Sequence, residues 1–320
     1  MELALYATVV FAAITFSFRT SPTSSQTTFE ITILAGFFIF SMAIRLIDFD
    51  ADIRTYARRM EEAELTFYYI REPVVWIGHR VLFALTHSHV MTFVISDMLC
   101  LSLVIRAFRR LDMPQYAIIA FIAFFPFVLG MQNVYRQWVS SCLAIYALSV
   151  ADRNLGRALF AFLLAMLSHN AAALFFPVVF SRLSPTLRAA SLLLGTILIP
   201  IALVLGADTK SATTTGLNLE HAYLVLVCLT LVGTLSPRTL TWKPWSLVAC
   251  VFSIYVVAWS TVTLSSAGSE RIALFALMIL YPSIVLFIED NIVDKFMARA
   301  ALTVFGFLPM LIFGVRVFII

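Results

Sequence analysis

RALFAFLLAMLSHNAAALFFPVVFS, residues 157–181, is hydrocarbon-like from Ala158 onward except for Ser168-His169-Asn170 near its middle. A bilayer core about 30 Å thick takes about 20 apolar residues to cross as a helix, so this stretch reads as membrane-embedded. The polar triplet complicates a simple crossing. An ionisable side chain at bilayer depth costs about 2.5–3.5 kcal/mol on insertion scales, and its default explanation is a polar cavity or a substrate path. The triplet therefore marks the turn of two half-helices, a break tolerated only where it is buried in protein or lines a cavity. A single crossing would put Arg182 and Arg188 on the opposite face from Arg153 and Arg157, and each later basic loop with them. Basic residues concentrate on the cytoplasmic side of short loops. The entering-and-returning form, which keeps them all on one side, is preferred.

The same apolar character runs along the whole chain. Of 320 residues, 61% are hydrophobic and 12% charged, and the mean hydropathy is +0.95. About eleven apolar runs, near 2–18, 30–47, 88–105, 114–131, 137–151, 157–181, 187–206, 219–236, 245–264, 271–288 and 300–318, leave no room for a soluble domain. The expected fold is all-α, a polytopic helical membrane protein forming a single integral membrane domain over 1–320. It should carry about 10–12 membrane segments, an amphipathic outer helix and a broken helix at 157–181. A β-barrel would instead show alternating segments of about 10 residues. The chain opens Met1-Glu2 without a basic leader, which reads as a first membrane helix rather than a signal peptide. Cys100, Cys142, Cys228 and Cys250 lie in separate apolar runs, so helix packing is expected of them rather than a disulfide frame or zinc site.

Arg106, Arg109 and Arg110 form the densest basic group and place their loop inside, which puts the 48–86 loop outside. That outer loop is charge-dense. Ile53, Ala57, Met60 and Leu65 recur near helical spacing with Arg and Glu opposite, the pattern of a helix lying in the interface. Glu72-Pro73 reads as a helix start, with proline at the first helical position. His79, His87, His89 and His221 read as interface residues without a role.

Four charged clusters face outward on this topology: Arg45 with Asp48, Asp50, Asp52 and Tyr56; Glu72; Arg136-Gln137; and Ser269-Glu270-Arg271. His169 points into the membrane between them. Arg136 and Arg271 at helix starts make a plausible anion site, because guanidinium offers a planar two-pronged donor set to phosphate and a helix N-terminus adds free N–H groups. The blander reading pairs each arginine with an outer-loop carboxylate. His169, Glu72, Asp50 and Asp48 are the candidate general bases, with His169 first. The blander reading of His169 is a hydrogen bond between half-helices.

These residues resemble a known family. D-F-D-A-D-I-R-T-Y (48–56) followed by Glu72-Pro73 looks like the D-Y-x-x-Y and E-P pattern of EpsG-like, Wzy-type polysaccharide polymerases. R-Q-W-V-S-S (136–141) is similar to their R-Q-x-x-A/S element, S-H-N-A-A-A-L (168–174) to H-x-S-A-L, and Ser269-Glu270-Arg271 to a late S-x-R. Phe49 and Asn170 depart from the common pattern. The resemblance implies a glycosyltransferase at the outer face of the bacterial inner membrane that joins lipid-linked oligosaccharide repeat units, with undecaprenyl pyrophosphate leaving. It implies substrate or pyrophosphate binding by Arg136, Gln137, Arg271, Arg45 and Tyr56. Its implied partners are membrane lipids, a chain-length regulator and a flippase; neither cofactor, metal nor nucleic acid is expected. Two alternatives share the charge requirements. A transporter or flippase would commonly show internal repeats, and none is seen. A glycan ligase or acyltransferase would differ only in its acceptor.

Overall fold

A computed structural model of the chain describes residues 2–18, 26–47, 51–62, 69–70, 72–206 and 243–313, and within them contains fourteen helices and no strand. In chain order these are α1 (Glu2–Ser17), α2 (Gln26–Ile47), α3 (Ala51–Glu61), α4 (Pro73–Thr86), α5 (His89–Arg110), α6 (Tyr116–Ala123), α7 (Phe125–Gln132), α8 (Tyr135–Val150), α9 (Leu155–Ser168), α10 (Phe176–Val179), α11 (Pro185–Gly206), α12 (Pro244–Thr263), α13 (Ser266–Asn291) and α14 (Lys295–Phe313). Short 3-10 turns at Asn170–Phe175 and Phe180–Arg182 flank α10. The protein is an all-α polytopic membrane protein. Among the described residues five helices, α2, α5, α11, α12 and α13, are long and apolar enough to cross a bilayer. The apolar run at 219–236 lies outside the described residues.

The other apolar runs are shorter or interrupted, and each interruption has a local cause. The 114–131 run splits at Phe124, which is extended (φ −68°, ψ 126°) just ahead of Pro126 in the first turn of α7; proline lacks the N–H that would continue α6. Local caps fix several helix starts. Ser88 caps α5 by accepting from the Met91 N–H at 3.3 Å, and Asn154 caps α9 by accepting from the Arg157 N–H at 2.9 Å. Pro73 sits at the start of α4, as the Glu72-Pro73 pair suggests.

The 157–181 segment enters and returns. Helix α9 has 14 residues, so it is about 21 Å long and falls short of a bilayer core of about 30 Å. It ends at His169, whose backbone is extended (φ −157°, ψ 124°). The chain then turns back through the 3-10 turns and α10, and Arg182 forms an ion pair with Asp152, on the loop that precedes α9. Both ends of the hairpin are therefore at one end of the bundle. Its returning arm docks in a notch between α11 and α12: a Cβ built on Gly195 would lie 2.4 Å from Pro177 and 2.6 Å from the Phe252 ring.

Ion pairs sort the helix ends into two layers. Arg109 pairs with Glu30, Lys243 with Asp290 and Arg299 with Glu289, while Arg299 also donates to the Ser17 carbonyl. These contacts gather the end of α1, the start of α2, the end of α5, the start of α12, the end of α13 and the start of α14. The starts of α8 and α13 and the His169 break belong to the opposite end. Helix α3 is amphipathic as expected, but Ile53, Tyr56, Ala57 and Met60 are buried and pack toward α4. Its apolar face is covered by protein instead of lipid, because α4 lies alongside it. Cys100, Cys142 and Cys250 are free and buried, as packing residues should be.

Candidate functional site

Glu72 immediately precedes α4 and makes no capping bond to that helix, so its carboxylate is available elsewhere. It reaches across to Arg136 in the first turn of α8, with which it forms an ion pair through Nη1. Its other oxygen accepts from the Asn170 N–H at 3.4 Å, at the turn of the broken segment. Arg136 also donates through Nε to the Tyr56 hydroxyl at 2.7 Å, and its guanidinium lies 5.4 Å from the Trp76 ring centroid. Four separate stretches thus converge here: α3, the start of α4, the start of α8 and the 168–171 turn.

His169 closes the group from below. Its Nδ1 accepts the Ala171 N–H at 3.1 Å, capping the 3-10 turn that follows. An accepting Nδ1 puts the single proton of a neutral imidazole on Nε2. Arg136 and Arg271 are cationic groups near enough to the ring to act on it. Gln137 donates to the Arg271 carbonyl, joining α8 to α13, and its Oε1 is buried without a protein partner. Arg271 itself is exposed. It lies in the second turn of α13, since that helix begins at Ser266; its guanidinium, not the helix N-terminus, is what it brings to the site. Of the two, Arg136 is the one that combines a guanidinium with the free N–H groups of a helix start.

The sequence-expected residues divide as follows. Tyr56, Glu72, Arg136, Gln137, His169 and Arg271 are brought together. Asp48 and Asp50 lie outside the described residues. Arg45 is nearby but inward: it is 4% exposed, and its Nε and Nη2 donate to Asp97 at 3.2–3.3 Å while Nη2 also donates to the Met131 carbonyl at 2.8 Å. Such an arginine has its donors committed inside the bundle and is not presented to a ligand. His79 is buried against Phe93 and Tyr135, rather than lying at the interface. Sequence reading passed over Asp97, the lone acidic residue inside the 88–105 run, although its position at membrane depth was a signal in itself.

The approach to this cluster is ordered by polar contacts. Arg59 donates to both oxygens of Glu62 at 2.7–2.8 Å, Tyr69 donates to the same carboxylate at 3.1 Å, and Arg80 lies 4.9 Å over the Tyr69 ring. The Arg59 hydrogen bond is the main reason that the Glu62 carboxyl is held below its ordinary range. These bonds tie the end of α3 to α4 and so fix Tyr56 over Arg136. Among the described residues no three His, Cys, Asp or Glu side chains converge as a metal-binding group.

Chemically, the cluster offers two guanidinium groups, an imidazole N–H, a carboxylate and a tyrosine hydroxyl at the end of a membrane bundle. It suits an anion held beside a group able to take a proton. A family model, that of the EpsG family, matches residues 29–318. No curated protein and no solved structure matches the chain.

Proposed function

We infer the activity from one premise: the chain belongs to the EpsG family, a family of Wzy-like polymerases. We propose that it is a glycosyltransferase of the bacterial inner membrane that polymerises a surface polysaccharide. Its substrate would be an oligosaccharide repeat unit on undecaprenyl pyrophosphate, and its acceptor the next lipid-linked unit. The observation that carries this reading is the Arg136–Glu72 ion pair beside His169, with Gln137 joining the same helix start to Arg271.

In the proposed reaction the acceptor hydroxyl attacks the anomeric carbon, the bond from that carbon to the pyrophosphate oxygen breaks, and the hydroxyl proton leaves to a base. Pyrophosphate carries several negative charges, so Arg136 and Arg271 would share it, Arg136 through a bidentate fork. The geometry favours Glu72 over His169 as the base. With Nδ1 accepting a backbone N–H, the free edge of neutral His169 is a donor, suited to a phosphate or sugar oxygen. Glu72 is paired with Arg136; phosphate drawing Arg136 away would free its carboxylate to accept the hydroxyl proton. Tyr56 and Gln137 would orient Arg136 and Arg271. Arg45 would serve as a structural brace, and Asp48 or Asp50 would supply outer-loop contacts to the glycan. A flippase and a chain-length regulator would be its functional partners.

The test uses purified full-length protein in lipid discs with a defined lipid-linked repeat unit, scoring glycan length and released polyprenyl pyrophosphate. Arg136→Lys and Glu72→Gln should each cut turnover by about 10²-fold or more, the scale of a lost transition-state donor or positioned base. Wild-type turnover from either variant, at matched insertion, would overturn the assignment. Translocation of the substrate without chain growth would point to a flippase instead.

A further inference from the structure

Beneath the site lies a buried polar knot that the reaction does not use. The Asp97 carboxylate, fully buried, accepts from Tyr135 Oη at 2.8 Å, from Ser41 Oγ at 2.6 Å and from Arg45 at 3.2–3.3 Å. Arg45 continues the knot to the Met131 carbonyl at 2.8 Å and lies 5.1 Å from the Phe93 ring centroid and 5.5 Å from that of Tyr135. Four elements are tied: Ser41 and Arg45 on α2, Asp97 on α5, Met131 in α7 and Tyr135 in α8. A buried ion pair is weak evidence of net stability, since well-packed apolar residues of similar volume often do as well. In an apolar bundle the knot is an expensive way to join helices. It has to be explained by what it orients.

Tyr135 is the first residue of α8 and Arg136 the second. Successive residues on a helix are turned by about 100°, so pointing Tyr135 at Asp97 fixes where Arg136 and Gln137 point. They face Glu72 with Tyr56, and the Arg271 carbonyl, respectively. The α8 start has no local device to do this, because Val134 at its cap makes no side-chain bond to the helix. Arg45, holding the Met131 carbonyl, fixes the end of α7 just ahead of the same turn. We propose that Asp97 is a positioning residue for Arg136, acting through Tyr135 and Arg45. This rests on the reading of Arg136 as the anion ligand.

Asp97→Asn is the obvious variant but leaves Arg45 buried without its counter-charge, so it should lose folded protein. Tyr135→Phe is the informative one: it removes a single hydroxyl and leaves the Arg45–Asp97 pair and the ring packing intact. In lipid discs it should insert and melt like wild type, yet bind the lipid-linked pyrophosphate substrate about tenfold more weakly, within what a small displacement of a binding group costs. The decisive readout is the double-mutant cycle on substrate Kd. In an Arg136→Lys background, Tyr135→Phe should change nothing further. A role that is merely structural predicts the same loss in both backgrounds, and that result, or wild-type affinity from Tyr135→Phe alone, overturns the proposal. Wild-type affinity and turnover from Arg136→Lys would instead sink the anion-site reading, and the positioning role with it.

Discussion

His169 has two nitrogens with two separate jobs. Nδ1 caps the turn after the break, and a cap of this kind is worth roughly 0.5–2 kcal/mol; Nε2 is left to face the site. The two can be separated by substitution. His169→Asn places an amide oxygen near the position of Nδ1 and nothing at Nε2. It should keep the melting temperature close to wild type and lose most turnover. His169→Gln lacks the short-range cap and should melt lower. Full activity in His169→Asn would reduce the imidazole to its capping role. At this scale most of the site was legible, because Tyr56, Glu72, Arg136, Gln137 and His169 fall in short polar motifs that stand out from apolar surroundings. Arg45 was read as a ligand because its neighbours in sequence are acidic. Its real partner, Asp97, is 52 residues away, and no local pattern encodes that pairing.

Among the elements, the hairpin formed by α9 and the returning arm is the one whose packing can be broken most cleanly. Its docking notch depends on the missing side chain of Gly195, with Pro177 at 2.4 Å and Phe252 at 2.6 Å from a built Cβ. Gly195→Ala should destabilise the protein by about 1–3 kcal/mol, the usual cost of overpacking, read as a lower melting temperature in detergent. Adding Pro177→Ala should recover part of the loss, the Phe252 contact remaining. An unchanged melt for Gly195→Ala would show that the notch can open freely. The break itself was legible from Ser168-His169-Asn170. The split of the 114–131 run was not, since Pro126 lies in sequence that is apolar on both sides and proline is tolerated in membrane helices. The covering of α3 was equally hidden: amphipathic spacing marks a buried stripe, and lipid and protein bury it alike.

For the whole molecule, the ion pairs at one end make a firm statement about sidedness. Arg182 and Asp152 meet, so the loops at 152–154 and 183–185 share a face, while α3 sits at the other. In a cysteine-free background, Arg153→Cys and Ser184→Cys should react with a membrane-impermeant maleimide only after the cells are permeabilised, whereas Glu61→Cys should react on intact cells. Opposite labelling of Arg153→Cys and Ser184→Cys would mean that the 157–181 segment crosses once. The fold class was open to sequence reading because hydropathy and the basic loops report on the bilayer directly. Which helix ends meet was not, since that is set by tertiary pairs.

The returning arm also sets a timing problem for synthesis. Phe175 stacks on Phe275 at 4.9 Å, yet the ribosome makes the second ring one hundred residues after the first. At about 5–20 residues per second the hairpin waits some 5–20 s for the surface it will rest on. Through that interval the faces of the returning arm that will meet Phe252 and Phe275 lack their protein partners. The nascent chain must therefore be sheltered, by the insertion machinery or a holding partner, until α12 and α13 arrive. Chains truncated before residue 244 should be targets for membrane proteolysis.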